Sequence, residues 1–340
     1  MIQLILKVSV VVPTKNSVRT IETCLTSLLK NQSFHEIIIV DDSTDGTREK
    51  VSKYPVRVIH APGKNISEAR NLGVTNATGD IIAFTDDDCV VPEDWIERGC
   101  NYFRDPSVSA VGGPNFTPND STFRESCSGM ALSSWFGTGV SVDRYSIVNN
   151  ETQFREVDES KLITCNLFLR KTALNAVGLF DPGQFPCEEN ELLHRMKQSG
   201  FKLIYVPSMY VWHKRRPVFL PFVRQIHSYG IGRALLIRRS TSSFKAFYLI
   251  PTIFVIGLVL GFILSFVNSY IGLVYGFTVL IYLVLDTIAS VQIVLAEKVK
   301  FACVLPLMLT FWLTHTAYGT GFMRGLFRGT NGKCAATQVV

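Results

Sequence analysis

Two long stretches almost without charge constrain this chain most. Residues 247–296 carry one charged side chain, Asp286, and residues 301–323 carry none. Apolar runs of that length fit the roughly 30 Å hydrocarbon layer of a membrane better than the core of a globular domain. Three spans are expected, at 247–267, 270–296 and 301–323, with a tight turn at Asn268 and Ser269 between the first two. Pro306, His315 and Gly319 make the third run less ideal, so a re-entrant or interfacial segment is its alternative. Three spans would also leave Arg324, Arg328 and Lys333 opposite Lys298 and Lys300, against the positive-inside rule.

Charge divides the rest. Residues 1–212 hold 21 Lys/Arg against 26 Asp/Glu, a net of −5, while residues 213–246 hold eight Lys/Arg and no acid, a net of +8. A basic segment directly before a span suggests anionic headgroups and a cytosolic side. The expected division is a soluble domain at 1–212, a basic juxtamembrane segment at 213–246, a transmembrane region at 247–323 and a tail at 324–340. The apolar residues 1–5 are followed by Lys7, which leaves too short and broken a run for a secretory signal. The eight cysteines, at positions 24, 89, 100, 127, 165, 187, 303 and 334, show no C-x-x-C pair and no zinc spacing, so reduced thiols of a cytosolic domain are expected.

The soluble part alternates strand and helix patterns. "VSVVVPTKN" (8–16), "EIIIVDDSTDGT" (36–47), "VRVIHA" (56–61) and "GDIIAFTDDD" (79–88) read as strands. Between them, Ile21, Leu25, Leu28 and Leu29 recur at helical spacing, and a helix is expected to open at Ser67 as its N-cap. This order predicts βαβ units and a parallel sheet, whose ligands bind beyond the carboxyl ends of the strands. Pro13 and Thr14, Asp41 and Asp42, and the acidic run at 86–88 all fall at such ends. Asp86 and Asp88 share a face of extended chain while Asp87 points away. The pair suits a hard cation, Mg2+ or Mn2+, bound with substrate phosphates. Pro92, Glu93 and Asp94 leave a helix-start acid cluster as the other reading. Neither G-x-G-x-x-G after the first strand nor G-x-x-x-x-G-K-[ST] occurs, which weakens dehydrogenase and P-loop readings.

Taken in order, these motifs closely resemble the family 2 inverting glycosyltransferases of the GT-A, Rossmann-like α/β fold. The resemblance continues through "VGGPN" (111–115), "TCNLFLRKTALNAVGLFD" (164–181) and "CEENELLHRMKQSGFKLIYVPSMYVWHKRR" (187–216). The basic stretch and spans are similar to the branch of succinoglycan-type bacterial and archaeal enzymes that extend lipid-linked sugars. The resemblance implies that Pro13 and Thr14 contact the nucleotide base, with Asp41 and Asp42 as the acidic pair for its N–H. It implies that Arg70 faces the phosphates, that Asp86 lies near the ribose, and that Asp88 holds the metal. It implies Glu189 as the catalytic base, where the family usually has aspartate; Glu188 and Glu191 are the alternatives. His213 and Arg216 could add a phosphate or metal contact. "QIHSY" (225–229) stands where processive synthases carry Q-x-x-R-W, which argues for one addition per acceptor.

The expected protein is a multi-pass cell-membrane enzyme with a cytoplasmic catalytic domain. It would transfer one sugar from a UDP- or GDP-sugar to a lipid-linked acceptor with inversion, using a divalent cation. A synthase that charges polyprenyl or dolichyl phosphate is the alternative, and a non-catalytic membrane nucleotide-binding scaffold the remote one. No nucleic-acid partner is expected.

Overall fold

A computed structural model describes residues 6–148 and 152–328. The run at 1–5, Lys333 and Cys334 lie outside the described residues. The chain forms two units, one from residues up to 119 with 143–214, the other from 120–142 with the chain from 215 onward. The segment 120–142 lies inside the expected 1–212 domain, yet it belongs to the second unit.

The first unit begins β1 (Val8–Thr14), α1 (Ile21–Leu29), β2 (Glu36–Asp41), α2 (Thr47–Val51), β3 (Arg57–His60), α3 (Ile66–Asn76) and β4 (Ile81–Phe84). It continues through β5 (Cys89–Val90), α4 (Trp95–Cys100), β6 (Val108–Gly112) and β7 (Asn115–Phe116). After α5 (Phe123–Leu132) and α6 (Trp135–Thr138) of the second unit come β8 (Arg155–Glu156), β9 (Leu167–Arg170), α7 (Lys171–Val177), α8 (Glu188–Gln198), β10 (Lys202–Tyr205) and β11 (Val211–His213).

β1 is a β-branched run buried at all seven positions, as a strand covered on both faces must be. It pairs in parallel with both β2 and β4, and β2 pairs in parallel with β3. Successive residues feed opposite faces: Val10, Val12, Ile37, Ile39 and Ile81 join one core, and Val11, Ile38, Val40, Ile82 and Phe84 the other. The expected parallel half is present, but the sheet is mixed. Its order is β3-β2-β1-β4-β9-β6-β10-β8, with β9 antiparallel to both β4 and β6. A second sheet, β5-β11-β7, sets His213 opposite Cys89.

One local expectation is corrected. Ser67 is not the cap of α3; Asn65 is, and it forms a capping box in which its side chain accepts from Glu68 N while Glu68 accepts from Asn65 N. Asparagine there satisfies one free amide and returns another, so it outcompetes a serine two residues later.

The second unit adds α9 (Leu220–Arg239), α10 (Ile250–Ser265), α11 (Ser269–Ala296) and α12 (Val304–Phe327). Among the described residues, three of its segments are long and apolar enough to cross a membrane: Ala246–Ser265, Ser269–Ala296 and Phe301–Phe327. The turn at Asn268 is explained by its side chain, which accepts from Tyr270 N and Ile271 N to cap α11. His315, one of the residues that made the third run less ideal, is satisfied within the unit, as are two threonines of the same helix. His315 meets Tyr282 Oη at 2.9 Å and the Phe136 carbonyl at 2.8 Å, while Thr310 and Thr314 donate back to carbonyls one turn earlier. Helices α9 and α12 touch backbone to backbone. A Cβ at Gly230 would lie 2.3 Å from Tyr318 O, and one at Gly321 2.0 Å from His227 O, so only glycine admits this crossing.

Candidate active site

Because β1, β2 and β4 run in parallel, Thr14, Asp41 and the acidic run after Phe84 emerge at one edge of the sheet. Each acid there has a different neighbourhood. Asp41 is buried, accepts from Ser43 N at 3.1 Å and pairs with Arg48 at 3.0 Å, so it braces its own loop. Asp42 is more open, receiving Lys15 Nζ at 2.6 Å and Gly63 N at 3.0 Å. Pro13 lies within β1, and Thr14 donates to Val12 O at 3.3 Å.

Asp87 does turn away from its neighbours, accepting from Ser17 Oγ and from Lys15 N. Burial, with the Asp88 charge beside it, pushes its carboxyl up to about 7 in spite of those bonds. Asp86 and Asp88 face His213. The His213 Nε2 lies 3.1 Å from Asp88 Oδ1, and ligand atoms of Asp86, Asp88 and His213 all fall within 4.8 Å of one another. Burial disfavours a charged imidazole, but the Asp88 carboxylate outweighs it and raises the His213 pKa to about 10. His213 also stands within 4.8 Å of the Cys89 and Cys165 thiols. Two carboxylates and an imidazole that already attract positive charge to one point fit a divalent cation, which would take the place of the imidazole proton.

Arg70 joins this cluster to the start of α8. It is buried, its Nη2 lies 3.4 Å from Asp86 Oδ1, and its Nη1 bonds Glu188 Oε1. Its buried Nε meets no hydrogen-bond acceptor among the described residues, which leaves a donor for a ligand oxygen. Glu188 is held up to about 7, by burial first and by the Glu189 charge, with Arg70 acting against both. Glu189, next in the chain, takes a different cation: Arg144 Nη1 lies 3.3 Å from its Oε1, and Asn190 Nδ2 donates to the same oxygen at 2.8 Å. Arg144 is itself fixed by the carbonyls of Ser160 at 2.8 Å and Glu159 at 3.0 Å. Glu191 is spent on Arg195, one turn on, at 2.6 Å.

Sequence reasoning missed Arg144. It sits outside every quoted motif, and its partner is 45 residues away. A buried carboxylate in need of a cation was the only signal. Arg216 lies in the second unit, where its carbonyl accepts from Ser128 Oγ at 2.7 Å.

A β-α sheet with acids at its parallel strand ends, an aspartate pair facing an imidazole and a glutamate-rich helix start defines a GT-A-type transferase. Residues 9–174 match the model of glycosyl transferase family 2. Among curated proteins it is 27% identical to glycosyltransferase AglE of Haloferax volcanii, over 62% of this chain and 67% of that one. It is 23% identical to a dolichyl N-acetyl-alpha-D-glucosaminyl phosphate 3-beta-D-2,3-diacetamido-2,3-dideoxy-beta-D-glucuronosyltransferase of Methanococcus voltae, over 95% of this chain and 98% of that one. Among solved structures, the mannosyltransferase PcManGT of Pyrobaculum calidifontis, in complex with GDP-Man and Mn2+, matches with a TM-score of 0.58 at 16% identity. That match covers 95% of this chain and 87% of that one.

Proposed function

We propose that this protein transfers one sugar from a UDP- or GDP-sugar to a lipid-linked acceptor, with inversion at the anomeric carbon, at the cytoplasmic face of the cell membrane. The observation that carries the reading is Arg70, one guanidinium that touches both Asp86 and Glu188 and so ties the aspartate pair to the helix that begins with Glu188 and Glu189.

The roles follow from chemistry. Asp86, Asp88 and His213 would hold a divalent cation, and the two carboxylates suit Mg2+ or Mn2+. Imidazole is a transition-metal ligand, which favours Mn2+ of the two, and Mn2+ accompanies GDP-Man in the similar mannosyltransferase. When bound, that ion would offset the charge of the leaving diphosphate. Asp42, more open than Asp41, takes the nucleotide base N–H, beside Pro13 and Thr14, while Asp41 holds the loop. The free Nε of Arg70 turns to a phosphate oxygen. Glu189 takes the proton of the acceptor hydroxyl, and Arg144, 3.3 Å from its Oε1, orients the carboxylate. With one carboxylate base and no carboxylate nucleophile, attack opposite the diphosphate inverts the centre. Gln225 Nε2 donates to Tyr229 Oη at 3.0 Å where a processive enzyme would present Arg-Trp, which supports a single addition.

The lipid acceptor and the membrane rest on the three apolar helices, on the +8 segment before them, and on the Methanococcus voltae relative named for a dolichyl-linked substrate. The test incubates the full chain in membranes with a panel of labelled nucleotide sugars and analyses the lipid extract. Label should appear on a lipid-linked sugar, vanish with EDTA and be absent with Asp88→Asn. Label on a bare lipid phosphate would move the function to a lipid-phosphate sugar synthase. Full Asp88→Asn activity in excess EDTA would remove the metal from the reading.

A further inference from the structure

The second unit contains an apolar slot of about 340 Å³, at the small end of ligand-pocket sizes. Three pieces of chain build it. The first turns of α5 supply Phe123, Arg124 and Cys127, the approach to α9 supplies Val218 and Phe219, and the start of α12 supplies Leu309. Val218 N donates to Arg124 O at 3.2 Å, and the Arg124 guanidinium carbon lies 5.3 Å from the centre of the Phe219 ring. Phe123, Phe219 and Leu309 are each about half exposed, although such apolar groups leave water wherever they can.

Position and charge say what covers them. Leu309 lies near the start of the third segment able to cross a membrane, which follows Lys298 and Lys300. Arg215 and Arg216 directly precede the strand of chain that supplies Val218, and Arg224 follows it. Arg124 is exposed, and its guanidinium stacks on the Phe219 ring while its planar fork is the shape that grips a phosphate. An apolar slot with an exposed arginine among its lining residues complements an amphiphile with one long hydrocarbon chain and a phosphate at its head. A slot this small takes a chain, not a helix.

We propose that this slot seats the first part of the hydrocarbon chain of the lipid-linked acceptor, and that Arg124 holds the phosphate on that lipid. The inference rests on the proposed lipid-linked transfer and assigns the acceptor's anchoring site. Native mass spectrometry of the full chain in detergent micelles would measure binding of a C55 polyprenyl phosphate, the matching polyprenol and phosphatidylglycerol. The parent should bind polyprenyl phosphate at least tenfold tighter than the other two. Leu309→Trp, which fills the slot, should weaken polyprenyl phosphate and polyprenol together by tenfold or more. Arg124→Gln should weaken only the phosphate. Leu273→Trp, on an exposed face of α11, should change nothing and controls for a bulkier apolar surface.

Melting temperatures of all variants and nucleotide-sugar affinity by calorimetry separate lost fold from lost site. Equal competition by phosphatidylglycerol would make the slot a seat for bulk lipid and overturn the inference. So would parent-like binding by Leu309→Trp at an unchanged melting temperature. If the parent glycosylates a lipid acceptor and both slot variants keep its KM, the slot is wrong while the transfer reaction stands. If tight binding holds but no lipid receives sugar, the proposed transfer reaction fails and the acceptor assignment falls with it.

Discussion

β1 and α11 are both apolar, yet they meet opposite surroundings. All seven residues of β1 are buried, whereas on α11 Leu273 is 73% exposed, Val274 65% and Phe277 63%. In the first unit the apolar side chains hide, and the key charges are held in buried pairs, Arg70 with Glu188 and Arg144 with Glu189. In the second unit apolar side chains face out, and α10 and α11 together hold one acid, Asp286, turned inward. Identical physics gives both results once the solvent differs. Water drives the sheet's valines inward, whereas hydrocarbon gives an exposed leucine no reason to move and penalises an exposed charge instead. At 28 residues α11 is about 42 Å long, more than the hydrocarbon thickness, so it would tilt.

The sharpest way to test the first side of this contrast is Glu189→Gln, which keeps shape and hydrogen bonding but cannot take a proton. Single-turnover transfer should fall by about 10²–10⁴-fold while donor affinity holds. If Glu188→Gln has that effect and Glu189→Gln does not, the base is the carboxyl that burial holds near neutrality beside Arg70. Glu189→Asp, with a shorter reach, should keep part of the rate.

Next in size is Arg70→Met. It leaves Glu188 buried beside Glu189 with its cation gone, and urea or thermal melting should register about 3–5 kcal/mol lost. Adding Glu188→Gln removes the stranded charge and should recover most of it. Failure to recover would mean that Arg70 matters for its contacts rather than its charge.

The second side of the contrast yields to Leu280→Arg on the outward face of α11, 56% exposed. In hydrocarbon an arginine there costs about 2.5–3.5 kcal/mol and should reduce membrane insertion. In water it would be neutral, and an unchanged insertion efficiency would end the reading of α11 as a span.

Smallest is Asn65→Ala, which breaks the capping box of α3. About 1 kcal/mol of stability should go. Ser67→Ala, at the position the spacing favoured, should cost less in helix capping, and the reverse order would return the cap to Ser67.

What the sequence alone determined is what neighbours within a few residues decide. The four β-branched or apolar runs, the acids that end the second and fourth of them, the apolar lengths at 247–296 and 301–323 and the +8 segment are all local, and the runs and apolar lengths reappear as strands and helices. The D-x-D alternation is local too, which is why Asp87 could be set apart from Asp86 and Asp88. Tertiary structure decided the partners. His213 comes to Asp88 because β11 pairs with β5, and Arg70 comes to Glu188 across 118 residues because α3 and α8 pack on the same face of the sheet. The antiparallel β9 between β4 and β6, the transfer of 120–142 to the helical unit and the cation held by Glu189 were hidden for the same reason. Which strand lies beside which, and which buried charge meets which, depends on the whole chain closing at once, and no local period records it.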